Sequence, residues 1–145
     1  MDSPCVFCRI IQGEEPASVV YEDEHAIAFL DIQQATRGHT LVIPKSHYRD
    51  LFELPEEEGA HLFRVVLRLA PQMRDALGAV GLNLIQSNGA AASQSVLHMH
   101  MHIVPRYLDD HFPFRWPGRG RHVGQAELDA LAEQIRQQGA TASAR

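Results

Sequence analysis

His98, His100 and His102 alternate with Met99, Met101 and Ile103 in the stretch Gln94 to Arg106, QSVLHMHMHIVPR. On a β-strand this two-residue period puts all three imidazoles on one face and the apolar side chains on the other, with same-face neighbours roughly 6.5–7 Å apart. A helix would scatter them. Three chemistries compete for the trio. A plain structural strand would leave several buried ring nitrogens in need of partners, which disfavours it. A zinc centre has a precedent in His-x-His strand pairs, but it does not account for the residues before the strand. These are Ser87 to Ser95, SNGAAASQS, a run of small residues whose backbone N–H groups can converge on an anion. Ser87 and Asn88 open this turn, and Gln94 and Ser95 add side-chain donors. The third chemistry is therefore a phosphate site: donors hold the phosphoryl oxygens while one neutral imidazole attacks phosphorus. A histidine pKa of about 6.5 leaves that nucleophile mostly unprotonated at neutral pH and lets a neighbouring ring carry a proton.

The two cysteines, Cys5 and Cys8, form a C-x-x-C near the start of the chain. In a chain read as cytoplasmic this spacing suggests metal or redox chemistry rather than a structural disulfide. Structural zinc needs two further nitrogen or sulfur donors from elsewhere. The alternative is that both thiols are buried as small apolar groups. A thioredoxin-type redox module fits poorly, because no strand precedes the motif.

The elements that must position these groups can be read from the pattern. The chain has 145 residues, 45% hydrophobic and 21% charged, which suits one domain with an ordinary core. Its formal charge of -5 argues against a broad basic face for nucleic acid. The lack of a long apolar run makes a soluble cytoplasmic protein without a membrane partner the expectation. Cys5 to Gln12 reads as a short helix ended by Gly13 and Pro16. Val19 to Glu22 and Ala26 to Ile32 read as strands around the turn Asp23 to His25, with Asp31 closing the second. Gly38 to Lys45 is a β-branched strand stopped by Pro44. Pro55 to Leu77 reads as the one long amphipathic helix, with Glu56, Glu57 and Glu58 in its first turn and an apolar stripe of Leu62, Val65, Val66, Leu69, Met73 and Leu77. Pro71 should kink or break it. Leu82 to Gln86 is a strand leading into the phosphate turn. The Arg- and aromatic-rich Asp109 to Gly120 reads as an irregular surface loop, or alternatively as a basic flap at the substrate or dimer mouth. Gln125 to Gln137 reads as a terminal helix with Leu128, Leu131 and Ile135 inward, and Gly139 to Arg145 as frayed chain. The fold class is α+β: an antiparallel sheet of about five strands, one long helix across it and short terminal helices.

Three segments, CVFCRIIQGEEPASVVYEDEHAIAFLDI, GHTLVIPKSHY and NGAAASQSVLHMHMHIVPRY, resemble in order and spacing the histidine-triad (HIT) superfamily of nucleotide hydrolases and transferases. The resemblance covers a core of about residues 5–107 and leaves 108–145 as a C-terminal extension of a single domain. It implies a HIT-like sheet, a homodimer and a purine nucleotide (AMP- or GMP-type) as substrate. In zinc-bearing bacterial members the C-x-x-C is completed by the matches of His47 and His98, so structural Zn2+ on Cys5, Cys8, His47 and His98 is implied, with no catalytic metal required. His100 is implied as the nucleophile that becomes nucleotidylated, with Ser95, His102 and the turn amides stabilising charge on the phosphoryl oxygens. Asp31 matches the ribose acceptor; Phe7, Ile10, Phe29 and Ile32 match the walls of the base pocket, although plain core roles remain open for them. His39 matches a position that orders the catalytic region. Galactose-1-phosphate uridylyltransferase relatives carry Gln where this chain has His102, which favours hydrolysis over transfer. Ser87 and Ser93 replace the Asn and Gly of many members near the leaving group. The leaving group therefore stays open between the amine of a nucleoside phosphoramidate and the nucleotide of a dinucleoside polyphosphate. A nucleotide-binding regulator or scaffold with incidental hydrolysis is the alternative of a different kind.

Overall fold

The computed structural model describes residues 4–114 and 120–143, except for the side chains of 140–143. In chain order the elements are α1 (Val6–Ile11), β1 (Val19–Glu22), β2 (Ala26–Leu30), β3 (Thr40–Pro44), α2 (Glu56–Leu77), β4 (Gly81–Gln86), a 3-10 turn (Ala90–Ala92), β5 (Met101–Arg106) and α3 (Gln125–Ser143). The strands form one antiparallel sheet in the order β1-β2-β3-β5-β4, so the α+β class expected from the pattern is the one observed. By internal contacts the chain divides into two units, Met1–Phe112 and Pro113–Arg145.

The continuous apolar runs of β2 (AIAFL) and β3 (TLVIP) follow from burial on both faces of the sheet. Ala26, Ala28, Val42 and Ile103 point to one face, where Leu62, Val65, Val66, Leu69 and Met73 of α2 cover them. Ile27, Phe29, Leu41 and Ile43 point to the other, where Phe7 of α1 packs with Ile10 and Ile11. Met99 is buried and Met101 partly buried on the α2 side, which puts the alternating histidines on the side of α1 as the two-residue period requires. The opening turn of α2 carries its three glutamates against the positive end of the helix dipole, and Gly78 closes the helix in the left-handed region at φ 69°.

Several expectations are corrected. The triad strand was expected from His98, but the ladder begins at Met101, so only His102 lies on a paired strand. The cause is local competition for backbone groups: the His100 ring takes the His98 carbonyl, and the Met99 N–H donates to the Tyr48 carbonyl. β2 ends at Leu30 instead of Ile32, and β3 starts at Thr40. α2 runs through Pro71 without a break. The carbonyl that Pro71 cannot bond is that of Leu67, a residue on the solvent-facing side of the helix at 60% exposed. α3 is a 19-residue helix rather than a short one and extends to Ser143, into the segment expected to fray. Its Leu128, Leu131 and Ile135, expected inward, are exposed. Of the Arg-rich tail segment, residues 115–119 lie outside the described residues.

Candidate functional site

The loop from β2 to β3 and the approach to β5 converge on the α1 face of the sheet. Leu41 and Ile85 flank His102 in register, which fixes that ring between two strands. The other two histidines are fixed by their own hydrogen bonds. His98 is fully buried, and its Nε2 donates to the Pro44 carbonyl at 2.9 Å, because a carbonyl can only accept. His100 Nδ1 donates to the His98 carbonyl at 2.7 Å, which leaves Nε2 as the nitrogen with a lone pair. His102 is set the other way round. The Ala35 N–H donates to His39 Nδ1 at 3.1 Å, so neutral His39 carries its proton on Nε2 and donates it to His102 Nδ1 at 2.8 Å. Neutral His102 is therefore protonated on Nε2. Two adjacent rings, 4.8 Å apart at their centroids, thus hold opposite tautomers: one offers a lone pair and the other a proton.

Burial keeps both rings neutral. Desolvation is the largest effect on His100 and lowers its pKa, against its bond to the His98 carbonyl and the nearby Asp31 charge, which raise it. Burial, followed by the neighbouring His100 and His39 rings, pushes His102 down to about 4.

The two rings open onto a cleft of about 380 Å³. Its lining brings together Phe7, Ile10, Phe29, Ile32, Asp31, Ser95, His100 and His102 of the residues nominated from sequence. Phe7 sits edge-on to both Phe29 and His100, at 5.5 and 5.3 Å between centroids. Ile32 stands at the mouth, 96% exposed. Of the nominated catalytic and substrate-binding residues, His39, Ser87, Asn88 and Gln94 are not in the lining. His39 lies behind His102, with its Nε2 3.7 Å from Asp31 Oδ2. Gln94 was expected to donate to a phosphate, but its amide is used inside the protein: Nε2 donates to the Arg49 and Val96 carbonyls and Oε1 accepts the Gly89 N–H. It braces the small-residue turn, which in the event is a 3-10 turn flanked by Gly89 at φ 82° and Ser93 at φ 64°. Asn88 likewise faces inward, accepting the Leu51 N–H at 2.8 Å and pairing with Gln86, next to Ser87.

Sequence reasoning missed the braces. Gln34 spans the loop that carries Asp31 and His39, donating to the His39 carbonyl and accepting the Gly38 N–H. Thr36 donates to the Pro105 carbonyl at 2.6 Å. Gly38, at φ 91°, lies so close to the Leu77 side chain that a Cβ there would collide with it. Of these, only the glycine carried a sequence signal.

A second cluster lies at the end of α1. His98 Nδ1 faces Cys5 Sγ at 3.5 Å, Cys8 Sγ at 3.6 Å and His47 Nδ1 at 3.1 Å, and Cys8 Sγ lies 3.3 Å from His47 Nδ1. Tetrahedral zinc, with Zn–S of about 2.3 Å and Zn–N of about 2.05 Å, sets S···N edges of about 3.6 Å and N···N edges of about 3.3 Å. The quartet fits such an ion, and the His98–Pro44 bond is the outer-shell contact that orients a ligating imidazole. Burial lowers the His98 pKa to about 4, which keeps Nδ1 available to a metal.

The description "HIT domain" belongs to the family model that matches residues 12–109. A HIT family protein from Bacillus anthracis has a solved structure that superposes with a TM-score of 0.88 at 42% identity, covering 95% of this chain and 99% of that one. A Zn-bound histidine triad family protein from Mycobacterium smegmatis superposes at 0.73 with 41% identity, covering 96% and 97%. Among sequences, the Arabidopsis thaliana protein named adenylylsulfatase HINT3 is 36% identical over 93% of this chain and 67% of its own length. Among the described residues no helix is long and apolar enough to cross a membrane.

The neutral His102 makes stability depend on pH. Its folded pKa of about 4 lies below the unfolded value of about 6.5, so the unfolded chain binds the extra proton between these limits. Its contribution is complete above pH of about 6.5 and is lost as the pH falls towards about 4. Urea unfolding across that window should show a shallower decline for His102→Gln than for the wild type, by the uptake of about one proton. Equal slopes would contradict the burial argument.

Proposed function

This chain belongs to the HIT family, and from that premise we propose that it hydrolyses purine nucleoside phosphoramidates or related adenylated substrates at the α-phosphate. The observation that carries the reading is the His100 ring, whose Nδ1 is tied to the His98 carbonyl at 2.7 Å while the ring lines a cleft shared with Asp31 and apolar walls. The Nε2 lone pair attacks the α-phosphorus, the bond to the leaving group breaks as that group takes a proton from water, and a nucleotidyl-histidine remains. The Nε2–H of His102 and the Ser95 hydroxyl hold the non-bridging oxygens as charge moves onto them, whereas the amides of Gly89, Ala92, Ser93 and Gln94, expected to share this work, are bonded within the turn. Water then cleaves the phosphorus–nitrogen bond and frees His100. Asp31 takes the ribose hydroxyls, and Phe7, Ile10, Phe29 and Ile32 enclose the base. His39 acts through His102 by fixing its tautomer. Gln94 and Asn88 act through the shape of the turn they brace. The Arabidopsis relative's name concerns an adenylyl group with a sulfate leaving group, which supports cleavage at the same phosphorus and leaves the partner on its far side open.

The quartet of Cys5, Cys8, His47 and His98 would hold structural Zn2+, tying α1, and with it Phe7, to the triad segment. The Zn-bound Mycobacterium smegmatis structure supports this. A homodimer is supported by β4, an edge strand whose Leu82 and Leu84 are each 38% exposed.

Adenosine 5′-phosphoramidate should be converted to AMP and ammonia, and His100→Ala should lower turnover by at least about 10³-fold. A variant that keeps its rate would remove His100 from the mechanism; nucleotide binding without any turnover by the wild type would favour the regulator instead. Native mass spectrometry should find two 16.2 kDa chains with one zinc ion per chain, and Cys8→Ser should lose the metal. A metal-free wild-type monomer would overturn both assignments.

A further inference from the structure

Four of the described residues that line the cleft carry ionisable side chains: Glu15, Asp31, His100 and His102. The two rings face phosphorus and Asp31 faces the ribose, so the reaction as proposed has no use for Glu15. Its position is fixed by the chain that turns back after α1. The Glu15 N–H donates to the Arg9 carbonyl at 3.3 Å, and the Arg9 guanidinium pairs with Glu15 Oε1. Glu15 shares the lining of the cleft with the apolar residues Val6, Ile10, Pro16 and Ala17. Exposed ion pairs contribute little to stability, and the Glu15 side chain is 34% exposed, so the pairing alone is a weak reason for a charge there. A carboxylate accepts through about four lone-pair positions and donates nothing; the Arg9 pairing therefore does not exhaust it.

We infer that Glu15 reads the base and selects guanine. This rests on the reading of the cleft as a nucleotide site. Guanine carries two adjacent donors, N1–H and the 2-amino group, on its pairing edge, and a carboxylate can meet them with two parallel charge-assisted bonds. Adenine sets its single amino group beside the lone pair of N1 or N7, which would face a carboxylate oxygen with repulsion. Hypoxanthine keeps N1–H and lacks the amino group. A site built to accept a substrate N–H rejects an analogue without it more sharply than an apolar pocket rejects a change of size, because the acceptor is left unpaired.

Calorimetric titration of the full chain with GMP, IMP and AMP tests this. Wild-type protein should bind GMP about tenfold or more tighter than either of the others. In Glu15→Gln, which turns one acceptor into a donor facing the base, the three should fall within about threefold of one another, and Glu15→Ala should agree. Equal affinities in the wild type, or a GMP lead that survives both substitutions, would overturn the inference and leave Glu15 as a surface partner of Arg9. The parent reading fails separately: a GMP preference without phosphoramidate turnover removes the hydrolase and keeps the base assignment, whereas turnover without base preference does the reverse.

Discussion

The hydrogen bond from His100 Nδ1 to the His98 carbonyl decides more of this molecule than its 2.7 Å length suggests. A carbonyl can only accept, so the bond forces the proton onto Nδ1 and leaves Nε2 with its lone pair. It also occupies the backbone group that a ladder from His98 would use, so β5 starts at Met101 and the segment before it bends through the site. The same segment orients His98 in the opposite sense. There Nε2–H is given to Pro44, and Nδ1 turns towards Cys5, Cys8 and His47. One short stretch of backbone therefore separates a ring suited to a metal from a ring suited to phosphorus.

The sheet makes this arrangement rigid by dividing its faces. α2 covers one with aliphatic side chains and takes Met99 and Ile103 from the triad segment. The other is closed over Ile27, Phe29, Leu41 and Ile43 by α1, whose Phe7 touches the His98 and His100 rings as well as Phe29. Contacts of Phe7 with both clusters mean that the position of α1 sets the metal quartet and the cleft wall together. The chain's overall negative charge does not oppose an anionic substrate here, since exposed charges are screened beyond about 8 Å and the site depends on neutral rings and local donors.

Much of this was legible in residue types. The two-residue alternation placed the histidines on one face, the 3.6-residue stripe placed α2, and the quartet Cys5, Cys8, His47 and His98, implied by resemblance, converges in space. What escaped the sequence depends on partners far along the chain. The start of β5 is set by Tyr48 as well as by the triad itself, and the inward turn of Gln94 is set by the Arg49 carbonyl. Pro71 falls on the solvent-facing side of the helix, as does Leu67, whose carbonyl it leaves without an intrahelical donor, and no propensity reports which side that is. α3 shows the same limit from the other side: a stripe of Leu128, Leu131 and Ile135 promised burial, but spacing names a face without naming what covers it. Glu15 is an ordinary surface residue by type, and only its place in the cleft lining distinguishes it.

Nitrogen-15 NMR of the histidine rings tests the opposite tautomers most directly, because protonated and unprotonated ring nitrogens have well-separated shifts. At neutral pH the account requires His100 to carry its proton on Nδ1 with Nε2 bare, and His102 to carry its proton on Nε2 with Nδ1 bare. A proton on His100 Nε2, or the same tautomer on both rings, would contradict it.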